Sequence, residues 1–267
     1  MVIQTNGINM FYEERGQGPP LVLIMGLGAP GTRWEEHVEY YARFFRCILI
    51  DNRGVGRSDQ PPGPYTTAMM ADDTAGLINA LGIGPAHVSG ISMGGAIAQE
   101  LALRHPRLVR SLVLNCTWPR CDTYTHRVFV LLRTLVFTNL APEQFIRLVL
   151  LLIFTPSYHA AHLDDLDRRE QEILSYPHAQ SADAFAAQCD ACMTHDTLDR
   201  LEAVKAPTLI TVGSHDIFTP LHYARAIHER IKGSELAVFE GGGHAHHWEF
   251  LQEYNERTVS FLKDHSR

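Results

Sequence analysis

The sequence predicts an α/β protein built on a mostly parallel sheet flanked by helices, with an all-helical segment inserted into it. Three observations carry this expectation. Short, uninterrupted apolar runs such as Leu21-Val22-Leu23-Ile24-Met25, Cys47-Ile48-Leu49-Ile50 and Thr208-Leu209-Ile210-Thr211-Val212 have the length of strands and no polar face, as parallel strands covered on both sides require. Segments with helical spacing alternate with these runs. From about residue 119 to residue 197 the strand pattern stops and only helical patterns remain. The expected division is a core made of residues 1–118 and 198–267 and a helical cap made of residues 119–197.

Taken in order, residues 8–13 alternate apolar and polar positions, as an edge strand of a half-exposed sheet does. The first buried strand ends in Gly26-Leu27-Gly28-Ala29-Pro30-Gly31, a loop whose backbone N–H groups can point at a ligand. A helix is expected over 32–45, then the strand 47–50, which runs into Asp51-Asn52-Arg53-Gly54-Val55-Gly56-Arg57-Ser58. Residues 69–81 have helical spacing, and the apolar run 86–89 leads into Gly90-Ile91-Ser92-Met93-Gly94-Gly95 and a further helix. Strand 109–114 leads to Trp118. In the cap, 128–137 and 144–154 are strongly apolar helices and 163–174 is amphipathic, with Pro142, Pro156 and Pro177 between them. The core resumes with strand 208–212, helix 221–231, strand 236–239 and a closing helix over 248–263.

Gly90-x-Ser92-x-Gly94 between a strand and a helix has the spacing of a nucleophile elbow: the turn is so tight that the serine is strained and its hydroxyl is lifted off the sheet, and side chains two residues away on either side would collide with backbone. A serine hydroxyl is a poor nucleophile unless a base takes its proton. Two later loops at strand ends supply the groups for that. His244 follows Gly241-Gly242-Gly243 after the last strand and has a pKa suited to accepting and returning a proton. Asp216 in Gly213-Ser214-His215-Asp216 offers a carboxylate to orient the ring. Asp122 and Asp190 are weaker candidates because they fall in the cap. Acyl transfer also needs donors for the developing oxyanion; the residue after the nucleophile, Met93, offers one backbone N–H, and Leu27 in the glycine-rich loop offers the second.

These motifs, with Gly26-Leu27-Gly28, Asp51-x-Arg53-Gly54-x-Gly56-x-Ser58 and the order serine, aspartate, histidine along the chain, resemble the α/β-hydrolase superfamily over nearly the full length. Within it the chain is similar to the capped esterase and lactonase branch, which includes 3-oxoadipate enol-lactonases and serine-type acyl-homoserine lactonases. Many relatives start the oxyanion loop with histidine; here Met25 stands before Gly26. The resemblance implies a serine hydrolase of carboxylic esters and lactones, with Asp51 and Arg53 stabilising a turn. Cofactor-free perhydrolases, carbon–carbon bond hydrolases and slow hydrolases that serve as ligand receptors share the same motifs and stay open. A haloalkane dehalogenase is disfavoured, because it needs a carboxylate where Ser92 stands.

An apolar acyl pocket under the cap is expected, with Trp118, Ile217, Phe218, Phe137 and Phe154 as candidate wall residues. An anionic substrate would want a cation, for which Arg120, Arg127, Arg133 and Arg147 are the cap candidates. No cofactor and no metal is expected, since Gly243-His244-Ala245-His246-His247 lacks the spacing of a metallo-lactonase; His246 and His247 are expected at a helix start or pocket rim. Cys189-Asp190-Ala191-Cys192 has no partner pair, and the odd count of 5 cysteines suits reduced thiols.

The remaining expectations concern setting. With 267 residues, a net charge of −7, a pI near 6.1 and no basic cluster, the chain offers nothing to nucleic acid or to an anionic membrane. Its start lacks the basic and apolar regions of a signal peptide, and its longest aliphatic run, 148–154, is far short of the ~20 residues that span a bilayer. The expectation is a cytoplasmic monomer or homodimer acting on a small ester or lactone.

Overall fold

The computed structural model describes residues 1–266. Eight strands form one sheet: β1 (Val2–Thr5), β2 (Ile8–Arg15), β3 (Pro20–Ile24), β4 (Arg46–Ile50), β5 (Ala86–Ile91), β6 (Val109–Asn115), β7 (Thr208–Gly213) and β8 (Glu235–Phe239). Their spatial order is β1-β2-β4-β3-β5-β6-β7-β8. From β4 to β8 all neighbours pair in parallel, while β1 and β2 run antiparallel at one end. The helices are α1 (Glu35–Tyr41), α2 (Thr67–Leu81), α3 (Met93–Arg104), α4 (Thr123–Leu135), α5 (Pro142–Ile153), α6 (Pro156–Ala161), α7 (Leu163–Leu174), α8 (Ala182–Thr194), α9 (Leu221–Arg230), α10 (His246–Glu249) and α11 (Leu251–Asp264).

The apolar strand runs follow from two-sided burial. Val22 and Ile24 of β3 join Ile48, Val88, Leu112 and Ile210 in one core layer beneath Leu77, Ile97 and Leu101 of α2 and α3. Leu21 and Leu23 point the other way and pack with Cys47, Val113 and Leu209 against Trp34, Tyr41, Val259 and Leu262. Successive side chains of one strand thus enter two separate cores, leaving no polar face to display.

Three expectations need correction. The helix expected over 32–45 is a 3₁₀ turn, Gly31–Trp34, followed by α1, which ends at Tyr41. The strand over 8–15 is not an edge: β1 lies outside it, joined by Asn6 and Gly7, whose φ values of 43° and 78° make the two-residue turn that an Asn-Gly pair favours. The closing helix is two helices, broken at Phe250 (φ −121°). The helices α4 to α8 occupy the interval between β6 and β7 with no strand among them, and a single antiparallel bridge, Arg120 to Asp196, ties the two ends of this insertion together. None of the helices among the described residues is long and apolar enough to cross a membrane.

The chain leaves β3 for β4 on one side and then crosses to β5 on the other. The crevice at the carboxyl ends of β3 and β5 is the switch point where open α/β sheets bind ligands.

Candidate active site

Ser92 stands at that crevice, between β5 and α3. Its φ of 56° and ψ of −116° lie where L residues are strained, and Asn115, Gly95 and Ala96 hold it there: Ser92 N–H donates to Asn115 O (2.9 Å) and Ser92 O accepts from Gly95 N–H (2.9 Å) and Ala96 N–H (3.2 Å). Thr117 Oγ1 donates to the same carbonyl (2.9 Å). The neighbouring glycines are required by close approach. A Cβ on Gly90 would overlap the Gly94 carbonyl, and one on Gly94 would overlap the Ile24 carbonyl of β3. Asn115 braces the turn further through Nδ2, which donates to Gly90 O (3.0 Å) and Ser89 Oγ (3.2 Å).

The loops after β7 and β8 meet beside it. His215 N–H donates to Gly242 O (2.8 Å), and a Cβ on Gly213 would overlap that same oxygen, so the two loops lie backbone to backbone. This brings His244 Nδ1 to 2.9 Å from Asp216 Oδ2, with both side chains buried. The other carboxylate oxygen is filled by the backbone N–H groups of Phe218 (2.8 Å) and Thr219 (2.7 Å). Thr219 Oγ1 lies within hydrogen-bond reach of Asp216 Oδ2 (2.8 Å), His244 Nδ1 (3.0 Å) and Cys116 O (3.0 Å). An ionised Asp216 can only accept, so the ring proton sits on Nδ1 and the neutral ring leaves Nε2 free as a base. Burial disfavours protonation of His244, but the neighbouring Cys116 sulfur and the Asp216 carboxylate more than offset it and hold its pKa well above the ordinary imidazole value.

The loop after β3 completes the crevice. Gly26 faces Ser92 so closely that a Cβ there would stand 3.2 Å from the serine Cβ. Of the next three amides, Ala29 N–H turns back to Gly26 O (3.3 Å) and Gly28 N–H is taken by Gln188 Oε1 of α8 (3.0 Å). The Leu27 amide lies between Gly26 and Gly28, and Met93, the residue after Ser92, opens α3.

The pocket candidates separate. Trp118 is buried against Phe129 (5.2 Å between ring centroids), Phe129 against Phe218 (5.4 Å), and Phe218 against the His244 ring (4.9 Å), so an aromatic row leads away from the histidine. Ile217 is 53% exposed, and its neighbour Phe218 is the one turned inward. Phe137 is 55% exposed and lines a surface cavity of about 490 Å³ with Pro61, Pro64 and Arg133, a cavity that Ser92, Asp216 and His244 do not line. Phe154 is committed elsewhere: its ring stacks on Tyr158 (4.7 Å) and Trp248 (6.1 Å). Its segment instead braces the histidine loop, since Ile153 O accepts from Ala245 N–H (2.8 Å) and Glu249 bridges Thr155 N–H (2.7 Å) and Gly243 N–H (2.6 Å). Thr219, Asn115, Glu249 and Gln188 are absent from any sequence motif; each is an ordinary polar residue whose role exists only through its neighbours.

His246 does begin α10, but neither it nor His247 rims a pocket. Both are buried, His246 Nε2 beside Thr211 Oγ1 (2.9 Å) and His247 Nδ1 beside His37 Nε2 (3.1 Å), and burial lowers both pKa values, that of His246 to about 3. Among the described residues no group of three or more histidines, cysteines or carboxylates is arranged to hold a metal ion. All five cysteines are free, and burial pushes the Cys189 thiol up to about 12. Asp51 and Arg53 serve their turn: Asp51 accepts from Gly31 N–H (2.7 Å) and Arg57 N–H (2.9 Å), and Arg53 pairs with Asp73 (2.7 Å).

Residues 19–251 match the sequence model of the family described as alpha/beta hydrolase fold. A protein of Azorhizobium caulinodans provisionally named carbamate hydrolase RutD is 29% identical, over 95% of this chain and 94% of its own. Among solved structures, a thermophilic esterase from Thermogutta terrifontis is 27% identical with a TM-score of 0.88, covering 100% of both chains. The enol-lactonase from Burkholderia xenovorans LB400 is 25% identical with a TM-score of 0.90, covering 98% of this chain and 100% of that one.

Proposed function

The chain belongs to the α/β-hydrolase family, and from that premise we propose that it is a serine hydrolase of carboxylic esters, lactones included, working through Ser92, His244 and Asp216. The observation that carries this reading is the buried 2.9 Å bond between Asp216 and His244 Nδ1, at the carboxyl end of the same sheet that carries the strained Ser92; with Nδ1 so engaged, Nε2 is the nitrogen that would serve as base. Ser92 Oγ attacks the ester carbonyl while His244 Nε2 takes its proton. The carbonyl oxygen becomes an oxyanion that the Leu27 and Met93 N–H groups receive. Collapse of the tetrahedral intermediate breaks the C–O bond, and His244 hands its proton to the departing alkoxide. Water then attacks the acyl-enzyme with His244 again as base, releasing the acid and restoring the serine. With a lactone, the alcohol stays attached to the acyl group throughout.

The helical insertion serves as the cap that shapes the acyl site. Its four candidate cations give no support to an anionic substrate. Arg120 is bound to Asp196 and Asp199 (2.6 Å each), Arg133 to Asp190 (2.8 Å) and Arg147 to Glu170 (2.9 Å), and Arg127 is exposed. The apolar surroundings that Phe218, backed by Phe129 and Trp118, gives the His244 ring support an uncharged acyl group instead. The same acyl-transfer machinery would accept a carbamate, so the deciding experiment is a hydrolysis panel. It sets p-nitrophenyl acetate to decanoate, acyl-homoserine lactones, a carboxylate-bearing enol-lactone and an N-alkyl carbamate against each other, with Ser92→Ala as control. Neutral esters or lactones are expected to have the highest kcat/KM. A preference for the anionic lactone or the carbamate overturns the substrate reading, and full activity in Ser92→Ala overturns the nucleophile.

A further inference from the structure

We propose that Gln188, a residue of the insertion, is a positioning residue that sets the geometry of the oxyanion loop. The inference rests on the serine-hydrolase reading above. Gln188 lies on α8 and is fully buried. Its Oε1 accepts from the Gly28 N–H (3.0 Å) and from Gln180 Nε2 (3.1 Å), and its Nε2 donates to the Arg53 carbonyl (2.8 Å). Gln180 Nε2 also donates to Gly54 O (2.7 Å). These partners allow only one orientation of the amide. Turned over, its NH₂ would face the Gly28 N–H and its oxygen would face the Arg53 carbonyl, two repulsive pairs around a buried side chain.

The grip is double. One turn earlier on α8, Phe185 lies over the same loop residue, so a Cβ on Gly28 would stand 3.0 Å from the ring, and the φ of +71° at Gly28 is itself one that glycine accommodates. Phe145 holds that ring edge-on at 5.5 Å. The loop thus approaches Ser92 closely at Gly26 and is held by α8 at Gly28, and the Leu27 N–H lies between these two points. An oxyanion donor works only if it is already aimed when charge develops, and a misplacement of about 1 Å can cost on the order of 100-fold in rate. Gln188 touches neither substrate nor reacting atom; it acts through the peptide it holds.

The test compares Gln188→Met, which has similar length and no polar end, with Gln188→Glu, which retains an acceptor for Gly28 N–H. Each variant is assayed for kcat and KM on p-nitrophenyl butyrate, for the rate of Ser92 phosphonylation by a fluorophosphonate (whose phosphoryl oxygen occupies the oxyanion hole), and for Tm. Gln188→Met is expected to lower kcat and the phosphonylation rate together by roughly 10- to 100-fold, with KM within about threefold of the parent, and Gln188→Glu to recover part of the loss. A Gln188→Met enzyme that is phosphonylated at the parent rate, or that changes only in KM, overturns the proposal. If Gln188→Met does not fold, Gln180→Ala, which removes one bond to the Gln188 amide, must slow phosphonylation by a smaller factor, and an unchanged rate overturns the proposal equally. Failure of the underlying reading looks different: the parent enzyme itself would then not be labelled at Ser92.

Discussion

The loops that carry Ser92, Asp216 and His244 are held largely by backbone atoms, whereas the insertion is held to the rest of the chain largely by side chains. In the loops, Ser92 N–H binds Asn115 O, His215 N–H binds Gly242 O, and glycines let carbonyls approach where no Cβ would fit. Along the insertion, Arg169 of α7 reaches Glu36 of α1 (2.9 Å) and lies over the Trp248 ring (4.7 Å), Glu172 reaches Arg33 (3.0 Å), and Gln188 spans to Gly28 and Arg53. The difference separates two tasks. A frame of backbone bonds and close glycine approaches builds the loops of the candidate site, and a seam made mainly of side chains joins the insertion to the rest of the chain.

The largest expected effect lies in the frame. Ser92→Ala removes the proposed nucleophile and none of the backbone bonds, so ester turnover is expected to fall by roughly 10⁴-fold or more while Tm is kept; a p-nitrophenyl ester assay and a melting curve together check both halves. Next comes Asp216→Asn, expected to lower kcat by roughly 10⁴-fold through loss of the correct ring tautomer. The pH profile sharpens the same point. His244 is a base only when neutral, and its pKa is held above the ordinary imidazole value of 6.5, so kcat/KM should rise with pH through an inflection above 6.5. That inflection should move down in Asp216→Asn, and a parent inflection at or below 6.5 contradicts the assigned pairing.

A contrast of a different kind runs between His244 and five other buried histidines. Burial lowers His37 and His87 to about 4, His195 and His246 to about 3, and His247 well below 6.5. For these groups the unfolded chain binds more protons than the folded one below 6.5. Their contribution to stability is complete above pH 6.5 and is lost progressively as pH falls toward the folded values, at about 1.4 kcal/mol per pH unit for each. Melting temperatures measured from pH 7 to pH 4 should fall steeply, and a flat profile would show that these rings titrate freely. The smallest effect is expected at Phe137. Its ring is exposed on the insertion, so Phe137→Ala should leave kcat/KM for every ester within about twofold.

This contrast also explains what the sequence disclosed. Gly90-x-Ser92-x-Gly94 and the loops ending in Asp216 and His244 were legible because a backbone frame demands glycine at set spacings from its functional residue, and that demand is written locally. The apolar runs of β3 and β4 were legible because two-sided burial admits no polar position. The hairpin partner of β2 was missed although Asn6-Gly7 is a hairpin signal, since β1 is only four residues long and largely exposed. Phe137 and Phe154 were indistinguishable from Phe129 and Phe185 because a phenylalanine on an apolar helix does not declare which neighbour it meets. Gln188 carried no signal at all: its meaning depends on Gly28 and Arg53, 160 and 135 positions away.

The glycines of these loops have one more consequence, which concerns inheritance. Their missing Cβ positions are blocked by carbonyl oxygens of Gly94, Ile24 and Gly242, atoms that cannot rotate aside as a side chain can. Even a single methyl group at Gly90, Gly94 or Gly213 would have to displace a strand or its loop. A lineage that keeps this frame therefore has little room to vary at those three codons.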